Sequence, residues 1–408
     1  MKSYSMTKEK PFNKFIIFSA LIFLVIFVIE KINGRFWLND FKVFYSAAEA
    51  LIHHEKVYGK AFGLETGFYK YSPVALLFFT PFTIISFESA AIIDFVINAI
   101  VCISIIIVTQ QLITEYIFQN KNKKTVTLFL IFICVINHVV RELHLGNTNL
   151  ILILLLVNSI KLELRKKSML AGVLLALVIL TKPYFLILLL PFLLFKRQKA
   201  IVSTLMSILI FVAITFFVFG VGKGQELYSE WFLAMKDHSS YLSSNHTLFS
   251  LLNTYFGIII PGNYGIVFLV VFSVASFVIL WAYDLFKSDQ GSSINKNNST
   301  FIYYYFILIA VVPSILITDT EHFLFSLPLI ALLITKIVNE KIKWQMSLLL
   351  IVMLMYGGNS SDIWGKNLAR KFENFGMLGL GNLMLVIWGI VMMMDIIKMN
   401  AKSPVNNQ

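Results

Sequence analysis

Twelve apolar runs recur along this 408-residue chain, near residues 12–30, 88–113, 126–141, 149–160, 169–181, 183–195, 200–222, 264–286, 300–317, 323–337, 344–357 and 380–398. A segment that enters a bilayer must satisfy its own backbone hydrogen bonds, so runs of this kind become helices. Composition agrees, with 58% hydrophobic and 14% charged residues and a mean hydropathy of +0.79, where a soluble domain carries roughly 25% charge. The expectation is an all-α polytopic membrane protein of about twelve transmembrane helices. Neither an internal repeat nor a linker rich in Pro, Gly or Ser divides it. Residues 1–398 read as one transmembrane domain and residues 399–408 as a cytoplasmic tail.

Residues 73–87 are the exception among the apolar stretches. They number only about 15, against the roughly 20 that a spanning helix needs, and carry Pro73 and Pro81. We read them as an in-plane or dipping segment, so that residues 31–87 form a first outer loop with interfacial helices. Leaving this run out of the count puts 21 of the 34 Lys and Arg residues on the side of the N-terminus. The positive-inside rule then places both termini in the cytoplasm. The same clustering explains the net charge of +12 without nucleic acid. Residues 15–29, preceded by Lys8, Lys10 and Lys14, resemble a signal sequence, but EKINGRF after them offers no small-residue cleavage site, which predicts a retained first helix. Cys102 and Cys134 lie inside apolar runs and point to neither a disulfide nor a metal.

Several runs are short, and two of them meet at Thr181-Lys182-Pro183. Helices of 12 or 13 residues reach about 18–20 Å at 1.5 Å per residue, so their tips stop inside the hydrocarbon layer. Irregular backbone and a lysine at that depth require a polar cavity. The predicted topology gathers the unusual polar residues on the outer side: Asp40, Tyr71, Glu142, His144, Asn147, Asn149, Lys182, Asn245, His246, Asp319, Glu321 and His322. Each has a plainer use as well. Asp40 suits a helix N-cap before an amphipathic helix whose Phe41, Phe44, Tyr45, Ala48, Leu51 and Ile52 share a face toward the membrane surface. Lys182 suits a snorkelling side chain, Asn245 an N-cap for a helix near Leu248, and Glu142 a partner for Arg141 or a helix-end cap. His322 suits an interfacial histidine hydrogen-bonded to its neighbours, and His144 and His246 suit structural roles.

Taken in order, these residues resemble the GT-C superfamily of membrane glycosyltransferases, and within it glycosyltransferase family 87, the polyprenyl-phosphate-mannose-dependent group. The resemblance covers roughly residues 12–340. It rests on Asp40, Tyr45, Ala47 and Ala48 as D-x(4)-Y-x-A-A, Leu51 and Tyr58 as L-x(6)-Y, and Tyr71 and Pro73 leading to Pro81. Gly146 and Asn149 as G-x-x-N, A-G-x(8)-T-K-P over 171–183, and Asn245 with Leu248 complete it. The family has Gly-Gln at Gly146-Asn147 and Tyr-Pro-Pro at Tyr71-Ser72-Pro73, which bears on substrate details.

The resemblance implies a GT-C fold and transfer of a hexose, mannose above all, from a polyprenyl-phosphate sugar to a glycolipid or glycan hydroxyl at the outer face, with inversion. It implies Asp40 as general base, with no cofactor and no required metal. Lys182 and His322 would face the donor phosphate, and Glu321, Tyr71, Glu142, His144, Asn147, Asn149, Asn245 and His246 would contact substrate. The rival readings are a transporter or lipid-linked-sugar flippase, a lipid-diphosphate-dependent polymerase or ligase, and a membrane scaffold. Transporters commonly carry inverted repeats, which this chain lacks, and the 223–246 loop has just Lys223 and Lys236 for a diphosphate. Richness in Ile, Lys and Asn suggests a bacterial cytoplasmic membrane.

Overall fold

The computed structural model describes residues 10–63, 67–118, 124–241, 245–288 and 298–402. The basic run 121–124, the polar loop 288–299 and the tail 399–408 lie wholly or largely outside them. Each apolar run coincides with helix. No strand forms among the described residues, where an isolated bridge joins Ala61 to Phe68.

In chain order, α1 (Lys10–Ile32) leads into α2 (Asn39–Ile52), α3 (Pro73–Leu77) and a 3₁₀ turn over Thr80–Ile84. Three longer helices follow, α4 (Phe87–Tyr116), α5 (Lys124–Leu145) and α6 (Asn149–Leu164). Next come α7 (Ser168–Thr181) and a 3₁₀ stretch, Pro183–Leu188, that runs into α8 (Leu189–Leu194). α9 (Gln198–Phe219), α10 (Val221–Tyr241), α11 (Leu248–Phe256), α12 (Gly265–Ser288) and α13 (Asn298–Ile315) precede a second 3₁₀ stretch, Thr320–Ser326, which continues as α14 (Leu327–Glu340). The chain then forms α15 (Lys343–Tyr356), α16 (Ser361–Asn374) and α17 (Met377–Lys402).

Among the described residues, eight helices are long and apolar enough to cross a membrane: α1, α4, α5, α9, α12, α13, α14 with its 3₁₀ lead, and α17. The other expected crossings fall on shorter elements, α6, α7, 183–194 and α15. The protein is thus an all-helical, multi-pass membrane protein. Within their apolar windows α13 and α14 are 89% buried, whereas α1 and α9 are 17% buried, so the former pair forms the centre and the latter the rim. Pro313 removes a backbone donor inside α13. Asn382 of α17 supports that stretch, its Nδ2 donating to Ala310 O at 2.9 Å and Ser314 Oγ at 2.8 Å.

The first loop differs from the expectation in one respect. The apolar face of α2 rests on protein rather than on the membrane surface: Phe41, Phe44, Tyr45, Ala48 and Leu51 are buried, and of the predicted face only Ile52 stays exposed. Residues 73–87 supply the cover. Phe82 and Phe87 close over Phe41, and Phe79 closes over Phe44, while Tyr45 Oη donates to Ile85 O at 2.8 Å. A stretch too short to span, bent by two prolines, has its aromatic rings free to roof the loop.

Candidate active site

Asp40 lies in the first turn of α2, and it is not the N-cap. Leu38 occupies that position in a left-handed conformation (φ 39°, ψ 59°), and no side chain caps the helix. The carboxylate instead accepts from Asn147 Nδ2, which reaches Asp40 Oδ2 at 2.6 Å. A glycine makes this contact possible. Gly146 has φ +65°, and a Cβ there would fall 2.7 Å from Phe41 Cβ and 3.0 Å from Leu38 Cδ2. The turn between α5 and α6 therefore presses against the start of α2 and delivers Asn147 to Asp40.

Asn147 also ties this corner to the next loop. Its Oδ1 accepts from Thr148 N at 2.7 Å and from Tyr71 Oη at 3.3 Å, and Tyr71 Oη accepts from Thr148 Oγ1 at 3.2 Å. Tyr71 is held in turn by its carbonyl, which accepts from Tyr58 Oη at 2.8 Å, and its neighbour Lys70 offers a carbonyl to Trp231 Nε1 at 3.2 Å. Burial, with the charges of Asp40 and Glu142 behind it, holds the Tyr71 phenol well above its ordinary range, so it stays protonated as a donor.

Lys182 occupies the break that the sequence suggested. Pro183 disfavours helix at the residue before it, so α7 ends at Thr181 and Lys182 is extended (φ −134°, ψ 91°). Snorkelling does not occur, because Lys182 is only 4% exposed. Its Nζ sits 2.5 Å from His322 Nε2 and packs over the rings of Tyr71 (5.7 Å) and Phe325 (5.6 Å). His322 Nδ1 lies 3.2 Å from Asp319 O. A carbonyl only accepts, so Nδ1 carries the proton and Nε2 is left to accept from the lysine. Burial, and after it the charge of Lys70, pull Lys182 below the usual lysine range.

Lys182, His322 and Tyr71 line a cavity of about 260 Å³ together with Lys70, Tyr184, Thr318 and Asp319, among others. Lys70 Nζ stands 3.9 Å from Asp319 Oδ2. The Tyr184 and Thr318 hydroxyls are buried and make no hydrogen bond within the described structure. Asp40 is not part of the cavity wall and connects to it through Asn147 and Tyr71. Burial raises the Asp40 carboxyl to about 6; the Lys70 charge opposes this, Glu321 and Asp319 add to it, and the Asn147 hydrogen bond again opposes it.

The remaining expected residues divide. Glu142 accepts from Asn149 Nδ2 at 3.0 Å and from Leu150 N at 3.3 Å, so both serve to close the N-terminus of α6 under Asn147. Arg141 pairs with Glu321, not with Glu142. His144 Nδ1 lies 2.9 Å from Glu30 Oε2, joining the ends of α5 and α1 outside the cavity wall. Asn245 is exposed, and the N-cap of α11 is Thr247, whose Oγ1 accepts from Ser250 N at 3.2 Å. His246 is buried against Phe323, behind the segment that carries His322, and burial followed by the Arg141 charge lowers it to about 4. Sequence reasoning passed over Lys70, Tyr184 and Thr318. Lys70 adjoins Tyr71, and that adjacency was its one visible signal.

The family model of glycosyltransferase family 87 matches residues 68–294, more than half of the chain. That stretch holds Tyr71, Glu142, Asn147 and Lys182 but ends before His322 and begins after Asp40. No curated protein matches the chain.

Proposed function

The chain belongs to glycosyltransferase family 87, and from that premise we propose that it moves a hexose, mannose in the first instance, from a polyprenyl-phosphate sugar to a glycolipid or glycan hydroxyl. The observation that carries this reading is a fixed carboxylate one short relay away from a buried cationic cavity: Asp40–Asn147–Tyr71 beside Lys182 and His322. The acceptor oxygen forms a bond to the anomeric carbon as the bond from that carbon to the phosphate oxygen breaks, with inversion. Asp40 takes the acceptor proton, and the electron pair leaves with the polyprenyl phosphate. A hydroxyl becomes acidic only as it attacks, so a carboxylate with a pKa of about 6 is a suitable base at neutral pH.

Lys182 stabilises the charge that grows on the departing phosphate. His322 and Lys70 support it, and the Tyr184 and Thr318 hydroxyls supply donors for phosphate or sugar oxygens. A phosphate leaves without being protonated, so one carboxylate suffices where a glycoside hydrolase needs two. We place the reaction at the outer face, with both termini inside, on the charge distribution, and in a bacterial cytoplasmic membrane on the richness in Ile, Lys and Asn. The test uses purified protein in nanodiscs with radiolabelled polyprenyl-phosphate mannose and membrane glycolipid extract. Label should pass to glycolipid with wild-type protein and stay on the donor with Asp40→Asn; equal transfer by both would remove Asp40 from the role of base.

A further inference from the structure

We propose that α16 is an in-plane helix that binds anionic phospholipid headgroups in the leaflet on the side of Asp40. The chain connects it at both ends to apolar helices, α15 through Gly357–Ser360 and the long α17 through Phe375–Gly376, which sets it at the height of the bilayer surface. It lies on the side of the candidate site. Tyr356 at the end of α15 donates from Oη to Phe323 O, and Tyr255 of α11 donates from Oη to Phe375 O at 2.8 Å. A Cβ on Gly376 would meet Asn245 O at 2.5 Å.

Little of the helix is covered. Trp364, Ala369 and Phe372 turn toward the protein, with Trp364 Nε1 donating to Gly357 O at 3.1 Å and its ring edge-on to Phe372. Beside them Ile363 (61%), Leu368 (40%) and Phe375 (54%) are exposed, which is apolar surface at interface level. Lys366, Arg370 and Lys371 are exposed too, and none forms an ion pair with a carboxylate among the described residues. Gly365 (φ 72°, ψ 155°) breaks α16, and the helical stretch after it, 366–374, carries three cations and one carboxylate, Glu373, beside an apolar rim; tied down between membrane helices, it has the chemistry of an anionic-lipid site. The positive-inside trend argues against cations on this side, and 366–374 carries three of them against the single carboxylate of Glu373, an excess that a local counter-charge balances. Headgroup phosphates at the same height supply it. α16 lies beyond residues 68–294, so the feature stands apart from the matched family segment.

The test is hydrogen–deuterium exchange of the full chain in nanodiscs of phosphatidylcholine alone or mixed with phosphatidylglycerol, for wild type and for Lys366→Gln/Arg370→Gln/Lys371→Gln. Phosphatidylglycerol should slow exchange across 361–374 at least about fivefold in wild type, the factor expected of a single basic residue near an anionic surface. High salt and the triple variant should both abolish the effect, with exchange in α5 unchanged as the control for folding. Equal exchange in the two lipids, or a phosphatidylglycerol effect that survives the triple substitution, overturns the proposal. Neither outcome depends on glycosyl transfer.

Discussion

Acidifying the assay from pH 7 to pH 5 should lower kcat/KM about tenfold. Burial holds the Asp40 carboxyl at about 6 rather than 3.8. A base acts only when ionised, so activity is present above about pH 6 and is lost as pH falls through it; a single site of that pKa is roughly 90% ionised at pH 7 and roughly 10% at pH 5. A solvated aspartate would remain about 94% ionised at pH 5, so the rate would barely change. A phosphodiester donor does not titrate in this window, which leaves the protein as the source of the limb. The assay is initial-rate transfer of labelled sugar in nanodiscs at subsaturating donor, with protein integrity checked at each pH. Asn147→Leu provides the internal comparison: it removes the hydrogen bond that lowers the Asp40 pKa, and the limb should move to higher pH by up to about one unit. A wild-type rate that falls less than about twofold between pH 7 and pH 5 would refute the assignment of Asp40 as a buried base.

Other outcomes follow from the same geometry. Asp40→Asn should lose transfer yet resist heat better than wild type at pH 7.5. The folded state holds the Asp40 proton more tightly than the unfolded chain does, so wild-type stability falls as pH rises from about 4 to about 6, by about 3 kcal/mol as an upper bound. Thermal unfolding in detergent should show the gain shrinking as pH drops to about 4. Gly146→Ala should force a side chain into Phe41 and Leu38 at a positive φ. Transfer should fall sharply and the acid limb move upward as Asn147 withdraws from Asp40, while a Gly146→Ala enzyme with wild-type rates would contradict the close-contact argument. Lys182→Met should keep the fold, being flanked by Tyr71 and Phe325 rings, and slow transfer about 10²-fold or more; an unchanged rate would count against the phosphate contact. Glu142→Leu should destabilise the protein by about 1–3 kcal/mol for each donor left without an acceptor, here Asn149 Nδ2 and Leu150 N, as read by thermal unfolding.

Much of the site was legible residue by residue, and less of it in the roles. Asp40, Tyr71, Asn147, Lys182 and His322 were all singled out in sequence, and the structure brings them within one continuous set of contacts. Their plainer uses were sorted only by geometry. Asp40 as an N-cap gave way to Leu38, Asn245 as a cap gave way to Thr247, and the snorkelling of Lys182 gave way to burial. Glu142 and Asn149 became the closure of a helix end, while His144 went to a peripheral pair with Glu30. Lys70, Tyr184 and Thr318 went unnoticed because a lysine, a tyrosine or a threonine beside an apolar run is common, and only the enclosing cavity gives it a purpose.

Local chemistry accounts for what the chain announced on its own. Twelve stretches of apolar side chains demand helices wherever water is absent, two prolines keep residues 73–87 from spanning, and Pro183 breaks a helix at Lys182. These effects act over a few neighbouring residues and can be read from order alone. Asp40 meets Asn147 across 107 positions and Lys182 meets His322 across 140. No short-range pattern sets such pairs. They follow from how helices of unequal length pack around α13 and α14, and from a glycine small enough to let two turns touch. Packing also decided that α2 is roofed by aromatic rings while Ile363, Leu368 and Phe375 in and beside α16 stay exposed.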